Sequence, residues 1–121
     1  MKPTPPAAGP VVQRLTASGF AIDGAVHRAA LLTPDRVLSW SPPPLAELSE
    51  EDLAPLLALD PAPEFVLIGA GPRHAFAPPA LIAALDARGI GVEAMDSRAA
   101  ARAWGLLRAE GRWIAAALMA L

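Results

Sequence analysis

Cysteine and tyrosine are absent from this chain, and histidine occurs only twice, at His27 and His74. Without cysteine there is no disulfide framework, no thiol nucleophile and no thiolate metal site, and the redox compartment is left unconstrained. The histidines lie far apart, and no Ser stands at a motif spacing that would pair with His74 as a nucleophile. Charge is also sparse. Asp, Glu, Lys and Arg make up 18% of the residues and leave a net charge of −2. That balance excludes a general nucleic-acid binder, which needs a basic surface. Mean hydropathy is +0.38, yet it reflects Ala and Leu richness. The apolar run Trp113–Leu121 falls well short of the roughly 20 residues that span a bilayer. No transmembrane segment is expected. The N-terminus, MKPTPPAAGP, has neither an apolar core nor an Arg-rich amphipathic pattern, so no secretory or mitochondrial signal is visible. The expected location is the cytoplasm.

Proline is abundant instead, with 14 in the chain and four of them in residues 1–10. This opening stretch reads as a disordered or extended tail, and residues 11–121 as a single α/β domain. Val11–Leu15 is expected as an edge strand. Gly19-Phe20-Ala21-Ile22 runs into Asp23-Gly24, a hairpin signal. Ala25–Thr33 and Val37–Trp40 read as further strands around a Thr33-Pro34-Asp35-Arg36 turn. Together they predict an N-terminal antiparallel meander. After the Pro-rich link Ser41–Pro44, Ser49 with Asp52 three residues on has the form of a capping box. Pro55 then shortens, kinks or restarts the helix.

The second half has βαβ grammar. Glu64–Ile68 is uniformly apolar after its first residue, as central parallel strands are. Pro78-Pro79 open a helix to Arg88, closed by Gly89. Ile90–Met95 returns as a strand parallel to the first. A capped helix follows over Ser97–Ala109, then a Glu110-Gly111 turn and a last strand, Arg112–Leu118. At 100° per residue, Ala99, Ala100, Ala103, Trp104, Leu106 and Leu107 share the apolar side of that helix. Arg98, Arg102, Gly105 and Arg108 share the other. The pattern as a whole predicts an α/β fold with the meander, a βαβ unit, a helix and a final strand.

Two constellations bear on function. Gly69-Ala70-Gly71 follows a strand, where α/β clefts form, but it lacks the third glycine and the Lys-Ser/Thr of a phosphate loop. Glu93 interrupts an apolar strand, and Asp96 and Ser97 open the next helix, where capping is their expected role. Gly69, Ala70, Gly71, Glu93, Asp96 and Ser97 thus form a candidate pocket at the C-terminal ends of the parallel strands. The second is the arginine side of the last helix. Gly105 there allows close approach of another chain, and Arg98, Arg102 and Arg108 offer bidentate carboxylate contacts. Arg112 and Glu110 flank Gly111 in a tight turn and suit a local ion pair or a backbone contact.

Three stretches carry a family resemblance: Ile68-Gly69-Ala70-Gly71, then Gly91-Val92-Glu93-Ala94-Met95-Asp96-Ser97-Arg98-Ala99-Ala100, then Leu107-Arg108-Ala109-Glu110-Gly111-Arg112. In this order and spacing the chain resembles a small domain-of-unknown-function family. That family includes the mitochondrial respiratory complex I assembly factor 3 and the adipogenesis-associated protein of the same fold. The resemblance implies a three-layer domain with a central mixed sheet and no established enzymatic activity. For the mitochondrial relative it implies assembly work through protein contacts. Where the family often has Thr, Cys, Tyr and Asn, this chain has Ser97, Ala101, Trp104 and Gly105. The expectation is therefore a non-catalytic interaction or assembly factor without a cofactor or metal. Its partners would be respiratory-complex subunits or assembly factors. The alternative is a small enzyme or ligand-binding protein that uses the cleft.

Overall fold

A computed structural model describes residues 9–121. Its spine is a five-stranded mixed sheet in the order β5-β4-β8-β6-β7, where β4 is Ala30–Leu32, β5 Val37–Ser39, β6 Phe65–Gly69, β7 Gly91–Met95 and β8 Ala115–Leu118. β6 pairs in parallel with both β7 and β8, while β4 meets β8 and β5 antiparallel. The expected βαβ unit is present: helix α2 (Pro79–Asp86) links β6 to β7, and its Leu81 and Leu85 are buried.

The chain leaves β6 and β7 toward opposite faces. On the first face α2, with short α1 (Ala54–Leu57), closes a core around Leu53, Leu56, Val66, Ile68 and Leu85. On the other, helix α3 (Ser97–Ala109) and a separate antiparallel sheet, β1 (Val12–Thr16), β2 (Gly19–Ile22) and β3 (Ala25–His27), close a second core. Phe20 and Ile22 of β2 meet Leu67, Ala100, Ala101 and Trp104 there. The result is three layers around a mixed sheet. In the middle lies β8, whose Ala115 and Ala117 serve one core and Ala116 and Leu118 the other. Such small side chains let both outer layers approach the sheet closely.

The N-terminal meander is split. What reads as one strand, Ala25–Thr33, breaks after His27, so that β3 stays with β1 and β2 while β4 joins the large sheet. The hairpin before it forms as expected: Ile22 pairs with Ala25, and Asp23 and Gly24 take φ of 50° and 82°. Both central residues of the turn adopt the left-handed conformation that suits strand twist. Thr33 also makes its turn, its amide donating to the Arg36 carbonyl at 2.9 Å.

At the capping box, the Ser49 amide donates to Asp52 Oδ2 at 2.9 Å. A single 3-10 turn, Glu50–Leu53, follows before the helix restarts with Pro55 in its first turn. The last strand is shorter than expected: after the Glu110–Gly111 turn, Arg112–Ile114 form an irregular stretch, and pairing starts only at Ala115. The tail expected over residues 1–10 lies outside the described residues except for Gly9 and Pro10. Pro10 is buried, and its carbonyl accepts from Trp104 Nε1 at 2.9 Å. The other two indoles behave alike. Trp40 donates to the Asp52 carbonyl at 3.1 Å and Trp113 to that of Pro61 at 2.7 Å. Each tryptophan pins an irregular segment to the body.

Candidate functional site

Because α2 and α3 depart to opposite faces, the C-terminal ends of β6 and β7 border the crevice where α/β proteins place ligands. Here the crevice is filled from within. Ser97 is fully buried, and its hydroxyl donates to the Met119 carbonyl at 2.7 Å while accepting from the Gly71 amide at 2.9 Å. Its own amide donates to the Gly71 carbonyl at 2.8 Å. The Ala70 amide reaches Met95 at 2.7 Å, and the Met119 amide reaches Gly69 at 2.9 Å. One side chain therefore ties the ends of three strands. No buried side-chain polar atom among the described residues lacks a partner, and the Ser97 proton is committed to the Met119 carbonyl.

Of the six residues expected to share a pocket, Gly69, Ala70, Gly71 and Ser97 do meet, but in this knot. Asp96, not Ser97, is the cap: its Oδ1 accepts from the Ala99 amide at 2.9 Å. Glu93 lies apart and exposed on β7, which pairs on one side only. Its alternation within the strand turns it away from the Val92–Ala94 core face, and the strand lies at the sheet's edge. Glu93 is therefore neither buried nor part of the knot.

Beside the knot opens a cleft of about 550 Å³. Ala70, Gly71 and Met119 form one wall, and Trp40 with Pro42–Pro44 the other. Arg28, in the break between β3 and β4, is the only charged side chain among its described lining residues. Sequence reasoning missed this opposite wall. Its signal was the run Trp40-Ser41-Pro42-Pro43-Pro44, which reads only as a link until the fold lays it against β6. A second cavity of about 410 Å³, under the Ala17–Gly19 turn, shares Arg28 and Ala120 with the first. Among the described residues, no group of three or more His, Cys, Asp or Glu could hold a metal ion. Nor is any helix long and apolar enough to cross a membrane.

The arginine side of α3 is real but narrower than expected. Arg98 and Arg102 are exposed, and a Cβ at Gly105 would meet nothing within 4 Å. Leu106 joins them at 65% exposure, whereas the small Ala101 is buried in its place. Burial follows Ser97, Ala100, Ala101 and Trp104, a helical stripe rotated from the one drawn through the leucines. Arg108 leaves the outer face, and its Nη1 donates to the Arg112 carbonyl at 2.6 Å.

Arg112 in turn does not pair with Glu110. It forms a two-pronged contact with Glu64, Nε to Oε2 at 3.1 Å and Nη2 to Oε1 at 3.2 Å, and sits 5.6 Å from the Phe65 ring centroid. The guanidinium hydrogen bonds hold the Glu64 carboxyl below its ordinary range, against a smaller opposing effect of desolvation. The same carboxylate raises Arg112. Both groups are exposed at the far end of β6, so the contact aligns strands and leaves the cleft untouched. His27 Nδ1 lies 3.1 Å from Ser39 Oγ, and exposed His74 stands edge-on to Phe76.

Comparison with known proteins agrees with this architecture. The family model described as Protein of unknown function (DUF498/DUF598) matches residues 12–119. The chain is 30% identical over 109 residues to NADH dehydrogenase [ubiquinone] 1 alpha subcomplex assembly factor 3 of Bos taurus, covering 89% of this chain and 59% of that protein. The match thus spans about three fifths of the cattle protein's length. An uncharacterised protein of Rhodobacter capsulatus is 37% identical over 101 residues, covering 83% of this chain and 76% of its own. Among solved structures, a crystal structure from Bordetella parapertussis superposes with a TM-score of 0.83 at 32% identity, covering 97% of this chain and all (100%) of the other. A solution structure from Bordetella pertussis, described as a Mth938-like domain, gives 0.80 at 27% identity, with 99% and 91% covered.

Proposed function

The chain belongs to the DUF498/DUF598 family of proteins of unknown function, and from that membership we propose that it is a non-catalytic interaction protein that assists assembly of the NADH dehydrogenase complex. The observation that carries this reading is its similarity to the assembly factor across 89% of its own length. The docking surface in this reading is the outer face of α3. Arg98 sits in the first turn of α3, where the helix dipole disfavours a cation; Arg102 lies one turn on, and the carboxylate at that end, Asp96, is engaged by the Ala99 amide. A partner's carboxylates would relieve that conflict. Gly105 and exposed Leu106 let the partner pack close to the helix backbone. The protein acts in the cytoplasm, with subunits or fellow assembly factors of that complex as partners.

The test is affinity purification from the native cell with mass spectrometry, beside an assay of NADH dehydrogenase activity in a strain lacking the protein. The expected outcome is co-purification of complex subunits, lost in the Arg98→Glu/Arg102→Glu double variant, and reduced activity in the deletion strain. Full activity without the protein, and no subunit recovered, overturns the reading.

A further inference from the structure

We propose that the cleft between the Trp40–Pro44 wall and the ends of β6 and β8 binds a small organic acid, an apolar body whose single carboxylate pairs with Arg28. Its volume of about 550 Å³ falls in the range of small-molecule sites, about 300–1,000 Å³. The walls are held before any ligand arrives. The Trp40 indole is fixed by its bond to the Asp52 carbonyl and its amide by a 3.3 Å bond to Ala29. Three consecutive prolines with locked φ continue that wall. Across the cleft, Gly71 and Met119 are clamped by Ser97. Gly71 has φ of 109°, and a Cβ there would lie 3.4 Å from the Ala120 carbonyl. The floor is therefore backbone against backbone. A site so fixed spends little of its binding energy on ordering itself.

The chemistry of the ligand follows from what lines the cleft. Trp40, the prolines and Met119 are apolar and suit a ring or short alkyl body. Arg28 has no hydrogen-bond or ion-pair partner among the described residues, and it faces both cavities. A planar guanidinium matches the two oxygens of a carboxylate, and the Ser41 hydroxyl on the same lining can add a third donor. A phosphate dianion fits less well. One cation would face two charges, and the nearest helix N-terminus is already occupied, its amides at Ser97 and Ala99 bonded to Gly71 and Asp96. This site shares no residue with the α3 face, so the two readings stand or fall separately.

The experiment is a titration of the ¹⁵N-labelled full chain, followed by amide chemical shifts. The probes are indole-3-acetate and octanoate, each against its neutral amide, with phenyl phosphate as the dianion. The acids should produce saturable shifts at Ser41, Ala70, Gly71 and Ala120. They should bind about tenfold or more tighter than the amides, as one charge-assisted pair allows. Arg28→Gln should erase that difference and leave the weaker amide binding, with an unchanged spectrum elsewhere and an unchanged melting temperature. Arg28→Lys should restore part of it. Phenyl phosphate should bind no tighter than the acids. Equal binding of acid and amide, acid binding that survives Arg28→Gln, tighter phosphate binding, or no saturable shift at these positions overturns the proposal.

Discussion

Gly69 and Ser97 are packed so closely that a Cβ on the glycine would come 2.8 Å from the serine hydroxyl oxygen and 3.0 Å from its Cα. The serine can reach both Gly71 and Met119 only because β6 ends in a residue without a side chain. The glycine expected to open a ligand loop instead makes room for a buried hydrogen-bonding hub.

Ser97→Ala should leave the Gly71 amide and the Met119 carbonyl buried and unpaired, at a cost of roughly 2–4 kcal/mol. Gly69→Ala should cost about 1–3 kcal/mol through overpacking. Because both changes act on the same hydroxyl, the double variant should lose less than the sum. Denaturant melts of the four proteins measure the coupling. Strict additivity would show that the close approach carries no energy.

Gly105→Ala should raise stability by about 0.5–1 kcal/mol, since Ala is the better helix former and open space surrounds the site. Arg98→Glu should also stabilise the free protein, by about 0.3–1 kcal/mol, by placing an acid in the first turn of α3. If the outer face docks an acidic partner, that same change weakens association. Gly105→Leu should stay folded yet block docking by bulk. Thermal melts beside pull-downs separate these effects, and a folded Gly105→Leu that binds normally would reduce the face to solvated surface.

Acid should weaken the Glu64–Arg112 contact. The Glu64 carboxyl is held below its ordinary range in the folded protein. Its contribution is therefore complete above the unfolded value, about pH 4.3, and is lost as pH falls through the folded value. Melting temperatures of the native protein and Glu64→Gln should differ at neutral pH and converge in acid. High salt should shrink the gap, because the pair is exposed. A gap that widens in acid contradicts the assignment.

Trp104→Phe keeps most of the buried ring but removes the donor to Pro10, leaving that carbonyl without its partner. A loss of about 1–3 kcal/mol is expected. Hydrogen exchange should show faster opening of the β1 amides, which lie directly after Pro10, with β6 unaffected. Equal protection throughout would mean that the contact is incidental.

The parallel half of the fold was legible because its signals are local. Glu64–Ile68 and Ile90–Met95 bracket a helix opened by proline and closed by glycine, and such a unit has one favoured hand. The break after His27 was not legible. Nothing in Ala25–Thr33 marks a turn, and the change of sheet is decided by β8, nearly ninety positions along the chain. The role of Ser97 was hidden for the same reason: its hydroxyl partners lie 22 and 26 residues away, while Asp96 beside it already satisfies the helix start. Apolarity alone ranks Leu106 above Ala101 for burial. The close approach of α3 to an alanine-rich strand instead selects Ala101.

Glu93 has a use that needs no ligand. β7 is the last strand of its sheet, and its outer row of amides and carbonyls faces water. Another copy could lie down along that row and continue the ladder only by bringing a second chain over a carboxylate at mid-strand. Glutamates from two such chains would then repel each other. A charge placed there discourages growth of the sheet beyond its fifth strand.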